Sequence, residues 1–138
     1  MERKIRIADK DLHHFQQSLR RIEADEGFYE AFYGRFIGQS EAVGAIFRNR
    51  DMASIIGKLR VTLGMVAEAA EGKPGLEMYL EMLGGIHRRL QIGPRFFVLW
   101  REALLDTLFE RDPAFNPTVR GAWERVIAAV IDCMQQAE

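Results

Sequence analysis

The chain has three histidines, His13, His14 and His87, and one cysteine, Cys133. An imidazole can bind a metal through one nitrogen while the other nitrogen is held by a hydrogen bond. His13 and His14 sit side by side near the N-terminus. His87 instead lies in a run of apolar residues at helical spacing, Tyr79, Met82, Leu83, Ile86 and Leu90. On its own, such a histidine reads as a helix-surface or satisfied core residue ahead of a metal ligand. Tyr33 offers a phenol hydroxyl that can donate a hydrogen bond to a partly negative ligand. It also fits as one more aromatic in the stripe Phe28, Tyr29, Phe32, Tyr33 and Phe36. Lys58 reads as a solvated cation, although a desolvated lysine can lose its proton and ligate a metal. Other chemistry is thin. The sequence has no paired-cysteine metal motif, no HExxH and no phosphate-binding glycine loop. Cys133 reads as a small buried residue. The acid–base pairs along the helices read as solvated faces.

The elements that must position these groups are helical nearly throughout. Leu12, Phe15, Leu19 and Ile22 recur at intervals of three and four and mark a first amphipathic helix. Asp25 is a candidate cap for a second, aromatic-rich helix. Ser40 begins a short segment ending at Ile46 and Phe47. Asp51 is placed to cap a long helix with Met52, Ile55, Ile56, Leu59, Leu63 and Val66 as its apolar stripe. Residues 71–75, EGKPG, break the chain. The helix carrying His87 follows, weakened in its middle by Gly84 and Gly85. Gly93 and Pro94 stop that helix and open the next, since proline is tolerated in a first turn. Phe97, Trp100, Leu104 and Leu108 face inward on it. Asp112-Pro113 and Asn116-Pro117 bound the last loop, and Val119, Trp123, Val126, Val130 and Met134 line the last helix. Roughly seven helical pieces without strand alternation predict an all-α domain spanning residues 1–138.

Composition narrows the function classes. A chain of 138 residues with 48% hydrophobic and 28% charged residues is long enough to bury a sizeable core. A formal net charge of −1 gives no reason to expect nucleic acid or an anionic membrane as partner. The basic N-terminus has no apolar stretch behind it, so it does not read as a secretory leader. No apolar run approaches the ~20 residues of a membrane span. With one cysteine, a cytoplasmic protein is the expectation.

Three blocks carry a family resemblance. The run FYGRFIGQSEAVGAIF, residues 32–47, resembles the second helix and following corner of bacterial globins. It is most similar to the haem domain of flavohaemoglobins. Within it, Tyr33 and Phe47 have the family's spacing from a distal tyrosine to the haem-stacking phenylalanine. The run GGIHRRLQIGPRFF, residues 84–97, places a histidine ahead of Gln-Ile-x-Pro, as around the family's proximal histidine. The run AWERVIAAVIDCM, residues 122–134, resembles the last globin helix. Leu59 and His87 are spaced as the family spaces its distal apolar residue and its iron ligand.

The resemblance implies a three-on-three helical sandwich around haem b. His87 is then the iron ligand, with its other nitrogen held by a carbonyl of the preceding turn, notably that of Leu83. Phe47 stacks on the porphyrin. Ile55, Leu59, Leu83, Ile86, Ile92, Phe97 and Val126 supply an apolar wall, and Lys58 lies near the haem edge. Arg48, Arg50 and Arg89 are further candidates for the propionates. Tyr33, Ile55 and Leu59 form the distal ligand pocket, where a tyrosine implies slow oxygen release.

Several departures from flavohaemoglobins bear on function. Ile55 stands where histidine or glutamine is usual, so Tyr33 acts with little help. The segment from Phe47 to Ile55 is shorter, and the register there is open by one turn. Some globins ligate iron with a lysine, which makes Lys58 a second candidate ligand. Phe97 replaces a tyrosine that links the proximal histidine to a glutamate of the last helix, and Glu138 falls near that glutamate's place. Without the tyrosine the electron push from His87 is weaker. The chain carries no flavin or nicotinamide fingerprint, so iron reduction requires a separate reductase. The expected function is reversible binding of oxygen, carbon monoxide or nitric oxide, for oxygen binding or sensing. The alternatives are nitric oxide dioxygenase activity with an external reductase, or a haem-free regulatory module. A homodimer is compatible with the helical surface.

Overall fold

The computed structural model describes residues 5–69 and 74–136, with the side chain of Gln136 left out. Seven helices follow in order: α1 (Asp9–Glu23), α2 (Phe28–Ile37), α3 (Glu41–Phe47), α4 (Met52–Ala69), α5 (Leu76–Arg89), α6 (Pro94–Arg111) and α7 (Pro117–Gln136). Among the described residues there are no strands. No helix among them is long and apolar enough to cross a membrane.

Local chemistry sets most of the boundaries. The Ser40 hydroxyl accepts the Val43 N–H at 3.1 Å and starts α3. Asp51 accepts the N–H groups of Ala53 at 3.1 Å and Ser54 at 3.4 Å ahead of α4. Asn116 accepts that of Val119 at 2.8 Å and caps α7. Pro94 occupies the first turn of α6. Before α5, Gly75 takes φ 104°, a left-handed conformation that a side chain would disfavour. Asp25 departs from expectation. The cap position of α2 is Gly27, and Asp25 accepts its N–H at 3.1 Å while gripping Arg111 of α6 with both oxygens, at 2.7 and 2.9 Å.

The core is built from the apolar stripes. Phe15, Ile22, Phe28, Tyr29, Phe32, Leu80, Leu104, Leu108 and Trp123 are fully buried. Each such side chain contributes about 1.5–3 kcal/mol of hydrophobic stabilisation. Phe15 of α1 meets Trp123 of α7 edge to face at 4.7 Å, and α2 lies against α6. Met82 and Leu90, expected to face inward on α5, are 54% and 45% exposed. The inward face of α5 is narrower than its apolar residues suggest, because among the described residues α5 packs mainly on α7.

The ion pairs also depart from a solvated-face reading. Asp112, in the corner between α6 and α7, is buried and accepts hydrogen bonds from Arg21, Ser18 and the Ala114 N–H. Trp123 Nε1 donates to Ser18 at 2.8 Å, joining the network to α7. Asp11, also buried, holds Arg125 through two bonds at 2.7 and 2.9 Å. These pairs tie α1 to the C-terminal half of the chain.

Gly84, read from sequence as a weak point, is where α5 comes closest to α7. A Cβ at this position would sit 2.1 Å from the Met134 carbonyl oxygen, a clash with backbone. Gly84→Ala is therefore expected to push α5 away from α7 and to destabilise the protein by about 1–3 kcal/mol, as overpacking does. Urea unfolding midpoints of the two proteins check this. Unchanged stability would mean that the approach is not tight.

Candidate haem site

The candidate residues fall on two walls. α4 and α5 approach at Thr62 and Tyr79, whose Oγ1 and hydroxyl are 3.2 Å apart. The two helices make few other contacts with each other, and their remaining candidate residues are left without a mutual packing surface. Ile55 on α4 is half-buried, as are Leu83, Ile86 and His87 on α5. Leu59 is buried and Lys58 is exposed.

On the first wall α2 and α3 bring together three aromatic rings. Phe47 meets Tyr33 and Phe36 edge to face, each at 5.7 Å. Tyr33 is buried, and burial pushes its hydroxyl well above the usual phenol range. It therefore stays protonated and remains a donor. Among the described residues its hydroxyl has no hydrogen-bond partner, so the donor is available.

On the second wall His87 stands edge to face with Phe97 at 5.5 Å. Burial lowers its imidazole pKa, which favours the neutral form that a metal requires. Nδ1 of His87 is buried and has no hydrogen-bond partner. The bond expected to the Leu83 carbonyl is not made. A cavity of about 360 Å³ lies against His87, lined also by Gly84, Arg88, Ile92, Phe97 and Met134. Sequence reasoning found His87, Ile92 and Phe97 here but missed Met134, Arg88 and the neighbouring Gln135. The small residue inside the apolar stripe, Gly84, was the available signal for a close helix partner.

The remaining candidates are dispersed. Val126 is 1% exposed, inside the core of α7. Arg48, Arg50 and Arg89 are exposed, and Arg50 donates to the Ile46 carbonyl at 2.6 Å. Glu138 lies outside the described residues. His13 and His14 pack against each other on α1, 5.8 Å apart. Among the described residues no three His, Cys, Asp or Glu side chains cluster as a metal site.

The residues fit a haem on two structural grounds. The half-buried imidazole of His87 has a buried, unpaired Nδ1, and Ile55, Leu83 and Ile86 stand half-buried on α4 and α5, which make few contacts with each other. The comparisons with known proteins give the family. The Globin family model matches residues 31–134. A crystal structure from Pseudomonas aeruginosa PAO1, described as structurally highly homologous to a human haemoglobin, superposes with a TM-score of 0.84. It shares 29% identity and covers 92% of this chain and 97% of its own. Among curated proteins, none matches. The match over residues 31–134, three quarters of the chain, and the seven-helix architecture identify the protein as an all-α globin, a member of a family of gas-binding proteins.

Proposed function

We propose that the chain holds one haem b between α4 and α5 through His87 and binds dioxygen reversibly, with carbon monoxide and nitric oxide as competing ligands. The single observation that carries this reading is the state of His87. It is a half-buried imidazole whose Nδ1 is buried without a hydrogen-bond partner, and burial lowers its pKa, which leaves Nε2 for iron. The haem, when bound, supplies the iron that takes up the gas. The remaining roles belong to the chain. Phe47, Ile55, Leu83, Ile86, Ile92 and Phe97 cover the ring and exclude water, and Leu59 closes the distal side above it. Lys58 and Arg89 stay solvated and neutralise the propionates at the rim. Ile55 cannot hydrogen-bond a ligand, so Tyr33 is the one distal donor. The lone cysteine supports a reducing compartment such as the cytoplasm.

Titration of the purified protein with haemin tests the reading. A Soret band that saturates at one haem per chain, and shifts with carbon monoxide after reduction, is expected. Absence of saturable uptake overturns it and leaves a haem-free globin module. Tyr33→Phe is expected to speed oxygen release by about tenfold to a hundredfold, the worth of one hydrogen bond to a charged acceptor. Carbon monoxide release should change far less. Stopped-flow off-rates for both gases read this, and equal oxygen off-rates would remove Tyr33 from the pocket.

A further inference from the structure

Little apolar packing sets the spacing between α4 and α5. On one side of their approach lie the candidate haem residues. On the other lies a cavity of about 120 Å³, lined by Met65 and Glu68 of α4 and by Pro74 and Leu76. Between the two stands one polar contact. Thr62 Oγ1 donates to the Lys58 carbonyl at 2.9 Å, one turn back on α4, which fixes the threonine rotamer. With its one proton committed there, Oγ1 can only accept, so in the 3.2 Å pair the Tyr79 hydroxyl is the donor. Both side chains are half-buried. The contact also sits at the end of two stripes. Ile55, Leu59 and Thr62 follow at spacings of four and three on α4. Tyr79, Leu83 and Ile86 do the same on α5, with His87 next in the chain. The last residue of one stripe thus meets the first of the other, and the candidate residues of both helices lie to one side of that meeting point.

We propose that Tyr79 is a positioning residue, whose hydroxyl, donated to Thr62, fixes the separation of α4 and α5 and with it the width of the slot that holds haem. The inference rests on the haem reading above and names what sets the slot's width. A hydrogen bond keeps its strength over only a few tenths of an ångström, whereas two loosely packed helices can part or slide. Each helix is stiff over a few turns. A displacement at the strut therefore reaches Leu59, one turn away on α4, and His87, about two turns away on α5. Tyr79 acts through the placement of α5 and of His87 upon it.

The test compares the intact protein with Tyr79→Phe, Thr62→Val, the two together, and Thr62→Ser. The first two each remove one hydroxyl and keep the ring or the branched shape. Haem transfer to an apo acceptor protein reads the slot. Each single change is expected to speed haem loss by about threefold to tenfold, the worth of one neutral hydrogen bond. The double variant should be no faster than either, because both changes remove the same bond. Thr62→Ser keeps the hydroxyl and should stay close to the wild-type rate. Unchanged rates in the single variants, or effects that multiply in the double one, overturn the proposal. Hydrogen exchange in the haem-free protein separates this from failure of the haem reading. Amides of α5 between residues 79 and 87 should exchange faster in Tyr79→Phe and Thr62→Val alike, with α1 and α7 unchanged. Unaltered exchange in α5 overturns the strut whether or not haem binds. A rise spread equally over all helices marks a general loss of stability and overturns it too. If the wild type takes up no haem, the haem reading fails, and the exchange result still decides whether Tyr79 spaces the two helices.

Discussion

Replacing His87 with alanine is expected to lower haem affinity by at least about a hundredfold. Loss of a hydrogen-bonding partner behind a metal ligand already costs about 10–100-fold, and loss of the ligand itself must exceed that. The protein scaffold should survive the change. His87 Nδ1 makes no hydrogen bond among the described residues, and alanine favours the α5 helix. Removing the ring enlarges an existing cavity of about 360 Å³, so free imidazole should enter and restore part of the Soret band. Haem transfer to an apo acceptor protein, with and without imidazole, measures both effects. Wild-type retention with an unchanged spectrum would show that iron is held elsewhere, and Lys58 would be the next position to replace.

Asp112→Ala is expected to destabilise the fold by about 3–5 kcal/mol at neutral pH, the usual result of breaking a buried charged network. That is a large fraction of the ~5–15 kcal/mol that holds a domain together. The reason is geometric. The Asp112 carboxylate is buried and accepts from Arg21, Ser18 and the Ala114 N–H, while Ser18 in turn accepts from Trp123 at 2.8 Å. Burial alone would raise the carboxyl pKa, but the hydrogen bonds from Arg21 and Ser18 outweigh it and hold the group below 3.8. A carboxyl lowered on folding stabilises the native state fully above its unfolded value. That contribution fades as pH falls through the lower folded value. The gap between wild type and Asp112→Ala should therefore be widest at neutral pH and narrow in acid. Urea unfolding at pH 7 and in the acid range reads both points. A gap independent of pH would assign the loss to packing rather than to charge.

Much of the helical framework was legible in the sequence because its causes are local. Ser40, Asp51, Pro94 and Asn116 act within a few residues of the ends they set, and the apolar period fixes which stripe of each helix avoids water. Where that reasoning fell short, a distant partner had intervened. Asp25 was drawn from capping into a pair with Arg111, 86 residues away. Met82 and Leu90 stand exposed because, among the described residues, α5 packs mainly on α7.

The candidate site divides along the same line. The spacing of Tyr33, Phe47, Leu59 and His87 is a sequence property, legible through its resemblance to the globin pattern, while helical period gives only the face on which each lies. The environment of His87 Nδ1 is not. It depends on α7 arriving so close to Gly84 that Met134 and Gln135 border the same cavity, and that approach is set by the absence of one Cβ. Likewise Ser18 and Trp123 are 105 residues apart and meet around Asp112 only after α1 and α7 pack. Hydrophobic periodicity states which face of a helix must be buried. It does not state against what, and hydrogen bonds between segments that far apart leave no local pattern. The sequence alone determined the helices and the types of candidate site residues along them. The tertiary packing decided which polar groups are satisfied and which nitrogen of His87 faces the interior.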